Sequence, residues 1–395
     1  MNIIDYIKKP FLRKNMEKKA KIPLSIQTFG GSGEGLSIQG ASHIKHGKIC
    51  QDFGGHYRCD EYAVAVVCDG HGSDPYFRSD RGSKFAVVVT INAVKAFMTS
   101  KKEFLDHLFA SDNADIQKEY ASKVIEQLIR SIISSWNDRV LEDMRENPFT
   151  EEELSGLSDK YKVRYSSEDD NKKFAVYGTT LIATVRAPEF WFAIRNGDGR
   201  CVAVFEDGEM KDPIPWNDKC FLNATTSLCD DEAFENFRQC FQTNSFPVAI
   251  YVATDGIDDS FGGLGERLFS FYKTVTTIFA EEGFEKGKQD LAAYLPKLTE
   301  KGSGDDISVS GIIDMKAIKN LAFLHEEEKE DENTVENEEE KSENTAEQEG
   351  ENTTAEEENN NEKGNDKIEE DIIQNETENN EILNNNSTPE DIQQI

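Results

Sequence analysis

Val64-Ala65-Val66-Val67-Cys68-Asp69-Gly70-His71-Gly72-Ser73 decides how this chain is read. The apolar, mostly β-branched run has the length and composition of a buried strand, and Asp69, two glycines and His71 follow it with no polar spacer. A carboxylate is therefore set at a strand end. One Asp-Gly after a strand is most often only a turn, but here the pattern returns. Val248-Ala249-Ile250-Tyr251-Val252-Ala253 runs into Thr254-Asp255-Gly256, and Gly302-Ser303-Gly304-Asp305-Asp306 leads into the strand-like Ile307-Ser308-Val309-Ser310-Gly311-Ile312-Ile313. Hard divalent cations take several oxygen ligands, so three acidic strand ends far apart in sequence have the form of a site assembled by folding.

Charge divides the rest of the chain. The 395 residues carry a formal charge of −32, but 27 acidic residues and 4 Lys lie from Glu326 onward, leaving about −9 for everything before. That last stretch is rich in Glu and Asn and has no aromatic residue, so it buries too little apolar surface to offset its ordering entropy. We expect a leader over 1–23, a packed domain over 24–315 and an acidic, low-complexity disordered tail over 316–395. Seven cysteines, an odd count without Cys-x-x-Cys spacing, read as reduced thiols of a cytoplasmic protein. Met1 to Lys21 lacks an apolar core like that of a signal peptide, and no apolar run approaches the length of a membrane span. The basic residues from Lys8 to Lys21 read as a solvated leader. Nothing points to nucleic acid.

In chain order, Leu24–Phe29 predicts a strand. Gly30-Gly31-Ser32-Gly33-Glu34-Gly35 lacks the Gly-Lys-Ser/Thr ending of a phosphate loop and predicts a turn. Leu36–Ser42 predicts a short strand, and His43, Lys45, His46 and Lys48 then form a polar loop that gathers positive charge before Cys50-Gln51-Asp52-Phe53. Phe85, Val88, Val89, Ile91, Ala93, Val94 and Phe97 suit a largely buried helix. Val124, Ile125, Leu128, Ile132, Ile133, Trp136, Val140 and Met144 recur at helical spacing until Pro148. The period then becomes that of strands at Thr179–Val185, Phe190–Ile194 and Arg200–Phe205, read as an antiparallel meander with Asn196-Gly197-Asp198-Gly199 as one of its turns. Helical spacing returns around Leu268 to Ile278 and Leu291 to Leu298. Strands, two helices, strands, two helices and a last strand argue for an α+β sandwich of antiparallel sheets with helices outside.

If Asp69, Asp255 and Asp305 converge, their mutual repulsion calls for bound cations. All-oxygen ligation favours magnesium or manganese over zinc, and two such ions can activate water and clamp phosphoryl oxygens. The chemistry indicated is hydrolysis of phosphate esters.

Six pieces now carry a resemblance: Gln51-Asp52, Val67-Cys68-Asp69-Gly70-His71-Gly72, Tyr177-Gly178-Thr179-Thr180, Asn196-Gly197-Asp198-Gly199-Arg200, Ala253-Thr254-Asp255-Gly256-Ile257-Asp258-Asp259 and Gly304-Asp305-Asp306-Ile307-Ser308. Their order resembles that of the type 2C metal-dependent serine/threonine protein phosphatases, across roughly 24–315. The resemblance implies a four-layer α-β-β-α sandwich, two Mn2+ or Mg2+ ions, a third, weaker ion in some members, and phosphorylated proteins as substrates. It implies Asp69 as the carboxylate bridging two ions, the Gly70 carbonyl as a ligand, and Asp255 and Asp305 as further ligands. Asp198 and Asp259 match positions for the third ion, Asp52 an outer-shell carboxylate, and His71 a proton donor to the leaving oxygen, a role that suits a side chain titrating near neutrality.

The chain also departs from that pattern. Cys50-Gln51-Asp52 replaces Asn-Glu-Asp, Asp306 stands where Asn is usual, and Gly47 occupies the position at which many members hold phosphate with Arg. Lys45, Lys48 and His43 are the nearby cations left for that task. Two other readings are a phosphoprotein-binding regulatory module that kept the fold and lost turnover, and a phosphoesterase for small molecules. The acidic tail adds an expected basic partner.

Overall fold

The computed structural model describes residues 20–221, 224–263 and 265–324. Most of the expected leader and all of the acidic segment from Glu326, with its expected disorder, lie outside the described residues.

Eleven strands among the described residues form two antiparallel sheets. The first contains β1 (Ile26–Gly30), β2 (Ser37–Ile38), β7 (Arg200–Val204), β8 (Met210–Lys211), β10 (Ala249–Ala253) and β11 (Ile307–Asp314), in the order β1-β11-β10-β7-β8 with β2 beside β11. The second runs β3 (Phe53–Arg58), β4 (Ala63–Cys68), β5 (Leu181–Arg186), β6 (Trp191–Asn196), β9 (Arg238–Gln242). Strand β4 shows why the sheets stack. Its odd positions Ala63, Ala65 and Val67 meet Ile250, Val252 and Ile312 between the sheets, and its even positions Val64, Val66 and Cys68 face helices. With both faces covered the strand loses the usual polar alternation, and small alanines on the inner face let the layers close.

Helices α2 (Ser79–Thr99), α3 (Lys101–Leu108) and α4 (Ala114–Glu146) cover the second sheet, with Trp136 and Val140 fully buried among them. Helix α4 starts where Asn113 Oδ1 accepts the Asp115 N–H at 2.8 Å, and ends before Pro148 as expected. Short helices α5 (Glu151–Ser155), α6 (Asp159–Tyr165) and α7 (Ala233–Asn236) follow on that side. Helices α9 (Gly265–Glu282) and α10 (Phe284–Lys301) cover the first sheet. The fold is the four-layer α-β-β-α sandwich of the α+β class.

Four local expectations are corrected. Residues 43–46 belong to helix α1 (Ala41–His46), not to a polar loop, and the strand before it is only Ser37–Ile38. Gly47 ends α1 at φ 67, the left-handed conformation in which glycine is unstrained. The position that resemblance gives to Arg is thus a helix stop. Phe53–Arg58 and Arg238–Gln242 are strands that patterning missed: Gly54 and Gly55 hide β3, and a Cβ on Gly55 would lie 2.7 Å from Val87 Cγ1 of α2. Packing also extends beyond 24–315, since Ile22, Ile318, Leu321 and Phe323 are buried.

The fourth correction matters most. Strands β5 and β6 pair, but β7 pairs with β8 and β10 in the other sheet, so the expected meander breaks at Asn196–Gly199. Those residues carry the chain from one sheet to the other. A Cβ on Gly197 would lie 2.5 Å from Thr180 Cβ, and one on Gly199 2.4 Å from the Ala253 carbonyl oxygen, so the crossing needs both glycines to pass between the sheets.

Candidate metal centre

Asp69 follows β4, Asp198 lies in the crossing, Asp255 opens helix α8 (Asp255–Ser260) after β10, and Asp305 precedes β11. Backbone clamps hold these ends in place. The Asp69 carbonyl accepts the Thr180 N–H and the Thr179 hydroxyl, each at 2.8 Å, and the Asp69 N–H donates to Thr180 Oγ1 at 3.0 Å. Gly70 pairs with Thr179, and a Cβ on it would lie 2.6 Å from the Gln51 carbonyl oxygen. Thr254 N–H donates to the Ser308 carbonyl at 3.0 Å, and Thr254 Oγ1 accepts the Ser308 N–H at 2.8 Å while donating to Asp52 Oδ2 at 2.5 Å. These threonines and the serine explain physically why Thr179-Thr180, Thr254 and Ser308 accompany the carboxylates.

Asp69, Asp198 and Asp255 offer carboxylate oxygens within 4.8 Å of one another, drawn from three segments and both sheets. Burial, followed by the charges of Asp255, Asp52, Asp198 and Asp305, pushes the Asp69 carboxyl well above the usual range. Asp255 is pushed up to about 8 by burial and then by Asp198, Asp305 and Asp259. Asp52 is likewise raised, by burial and Asp306, with Asp255 and Asp305 adding to it. Burial raises Asp198, and its Oδ1 is buried without a hydrogen-bond donor. Asp259 is raised by burial, then by Asp258, Asp198 and Asp305. Carboxylates that destabilise one another, with an orphaned buried oxygen among them, fit divalent cations of the magnesium and manganese type.

The structure therefore places Asp198 beside Asp69 and Asp255. Asp305 adds its charge to the same cluster, and its Oδ1 lies 3.5 Å from His43 Nε2. Asp306, missed as a site residue, is a buried clamp: it accepts the Gly40 and Gln51 N–H groups and is 2.8 Å from His43 Nδ1. The juxtaposition of His43 and Asp306 across 263 positions left no local signal in sequence.

His71 packs edge-on against Tyr76 with ring centroids 4.8 Å apart, and burial pushes its pKa down to about 4. The near-neutral value expected from the bare side chain is thus not what this pocket supplies. Lys48 Nζ donates to the Gly72 carbonyl at 2.9 Å, beside the loop that follows Asp69, whereas Lys45 is exposed on α1. Gln51 Nε2 donates to the His71 carbonyl at 3.0 Å and to Ser79 Oγ at 2.7 Å. An open cavity of about 420 Å³ beside them is lined by Lys48, Gln51, Gly72, Asp74, Phe77 and Glu152, among others.

The protein phosphatase 2C family matches residues 39–296. The chain belongs to that family. Its members are metal-dependent phosphatases of phosphorylated proteins, and the matched span runs from α1 into α10. Similar solved structures include the serine/threonine phosphatase Stp1 from Staphylococcus aureus (15% identity, 75% of this chain and 96% of that chain, TM-score 0.43). Others are PppA of Pseudomonas aeruginosa (14%, 73% and 97%, TM-score 0.41) and a sex determining protein of C. elegans (15%, 79% and 73%, TM-score 0.44). No curated protein sequence matches. No helix among the described residues is long and apolar enough to cross a membrane.

Proposed function

We propose that the protein hydrolyses phosphoserine and phosphothreonine in other proteins with a binuclear Mn2+ or Mg2+ centre. The convergence of Asp69, Asp198 and Asp255 from both sheets, with Asp255 raised to about 8, carries this reading. When bound, two such ions would supply a water of lowered pKa and neutralise charge on the phosphoryl oxygens. Asp69, the Gly70 carbonyl, Asp255 and Asp305 would hold the two ions, with Asp69 shared between them. Asp198 and Asp259 would hold a third, weaker ion. Asp52, held by Thr254, orients groups around the ions.

Lys48 supplies positive charge for the substrate phosphate from the residue after the α1 stop, as a point charge rather than a bidentate fork. His71 protonates the departing seryl or threonyl oxygen. The arriving phosphate raises its depressed pKa by placing negative charge nearby. The protein works in the cytoplasm, the packed unit takes in the buried Ile22 and the segment through Phe323, and the acidic segment from Glu326 engages basic partners.

A phosphopeptide assay with and without Mn2+ tests the proposal, with release of phosphate only in the presence of metal as the supporting result. One observation favours a second reading, a phosphoprotein-binding module: Gln51 puts a neutral amide where the family resemblance has Glu. Metal-dependent hydrolysis of an aryl phosphate rules the module out. Turnover of nucleotides in preference to phosphopeptide would instead indicate a small-molecule phosphoesterase.

A further inference from the structure

The proposed reaction assigns Asp305 but gives no role to the two residues beside it. Asp306 is 3% exposed, and three donors surround it. The Gly40 N–H reaches Oδ1 at 2.7 Å, the Gln51 N–H reaches Oδ2 at 2.6 Å, and His43 Nδ1 lies 2.8 Å from Oδ1. A carboxylate held by two backbone donors presents only acceptor sites, so the imidazole nitrogen facing it carries a hydrogen. In the neutral ring this leaves the lone pair on Nε2.

Among the described residues no hydrogen-bond donor reaches that lone pair. Nε2 lies 3.5 Å from Asp305 Oδ1, an oxygen that already accepts the Asp306 N–H at 2.8 Å. Two acceptors thus face each other. A third acceptor borders the same place: Gln51 is 9% exposed and its Oε1 is buried without a donor. A Cβ built on Gly72 would lie 3.5 Å from that Oε1 and 3.9 Å from His43 Nε2. What joins acceptors across such a gap is a cation.

We propose that His43 is a nitrogen ligand, through Nε2, of the cation held by Asp305, with Asp306 as the positioning residue that fixes its tautomer. The assignment rests on the metal-dependent reading above. It changes the donor set in a specific way. A neutral imidazole adds a ligand without adding another negative charge to a cluster in which carboxylates already repel. It is also a softer donor than a carboxylate, so it favours Mn2+ over Mg2+. A carboxylate behind the histidine raises its basicity and fixes the ring, the arrangement found behind many metal-bound imidazoles.

The test uses the full-length protein stripped of metal and reloaded with Mn2+. Pulsed electron paramagnetic resonance of the wild type should show 14N coupling from one imidazole, and His43→Ala should abolish it. Calorimetry should show Mn2+ affinity falling by about 10- to 100-fold in Asp306→Asn and at least as far in His43→Ala, with a smaller change for Mg2+. Circular dichroism in chelator checks that the variants fold, and the wild-type spectrum needs no variant. A Mn2+ spectrum without 14N coupling overturns the assignment and leaves His43 as a structural partner of Asp306. Coupling that survives His43→Ala overturns it in favour of His71. If the wild type binds Mn2+ and Asp69→Asn abolishes binding while His43→Ala changes nothing, only this assignment fails. Absence of Mn2+ binding by the wild type overturns the metal-dependent reading as well.

Discussion

Asp69 is held at its N–H and its carbonyl by Thr179 and Thr180, which leaves its carboxylate as the part free to act. Asp69→Asn keeps those backbone bonds and removes one charge from a cluster in which each carboxylate raises the others. Metal-dependent activity should therefore fall by more than the roughly 100-fold typical of changes to groups behind the ligands. The metal-free variant should also melt no lower than the wild type, and higher if repulsion dominates, as calorimetric scans in chelator would record. His71 makes a separate prediction, because an acid matters most for a poor leaving group. His71→Ala should cost on the order of 10²-fold with phosphopeptide and far less with an activated aryl phosphate. Equal losses in kcat for the two substrates would mean that His71 only shapes the loop over Tyr76.

Elements are tied together near this site by one buried cation. Arg78, at the start of α2, donates from Nε to Glu153 Oε1 at 2.7 Å, from Nη1 to the Asn147 carbonyl at 2.6 Å and to Tyr177 Oη at 2.9 Å. Glu153 also closes a capping box with Thr150 at the start of α5. Burial alone would raise the Glu153 carboxyl, but Arg78 and Thr150 outweigh it and hold the pKa at about 2. With the folded value below the ordinary one, the stability it contributes is complete above the usual Glu range and is lost as pH falls toward 2. Denaturant midpoints measured between pH 6 and 2 should thus drop more steeply for the wild type than for Glu153→Gln. Parallel curves would show that Glu153 does not couple α5 to α2. This coupling was not legible in the sequence, since Arg78 and Glu153 are ordinary surface-type residues until packing leaves the guanidinium 4% exposed.

At the scale of the whole molecule, the two sheets share one inner layer, and the chain after β11 returns to cover the first sheet. Ile318 and Leu321 are fully buried there and Phe323 nearly so. Burying one such side chain contributes roughly 1.5–3 kcal/mol. A chain ending at Leu324 should therefore unfold at the same urea concentration as the full protein and keep its metal dependence, whereas one ending at Met315 should lose more than about 2 kcal/mol. Indistinguishable midpoints for the two truncations would mean that residues 316–324 contribute nothing to the packed unit.

The sequence by itself determined the strands that run into Asp69 and Asp255 and the one that follows Asp305, the helices flanking them and the family, because unbroken β-branched runs, helical spacing and Asp-Gly punctuation are all local signals. It did not determine β3, where glycines chosen for the approach of α2 erase the strand pattern. Nor could it place Asp198, because a glycine-rich turn within a sheet and a crossing between sheets have the same composition, and only the pairing of β7 with β10 separates them. His43 and Asp306 lie 263 positions apart, and the 2.8 Å between them exists only once the N-terminal end of α1 is packed on the loop before β11. Distance in sequence hides such pairs, since the energy that joins them belongs to the closed sandwich and to no segment of it.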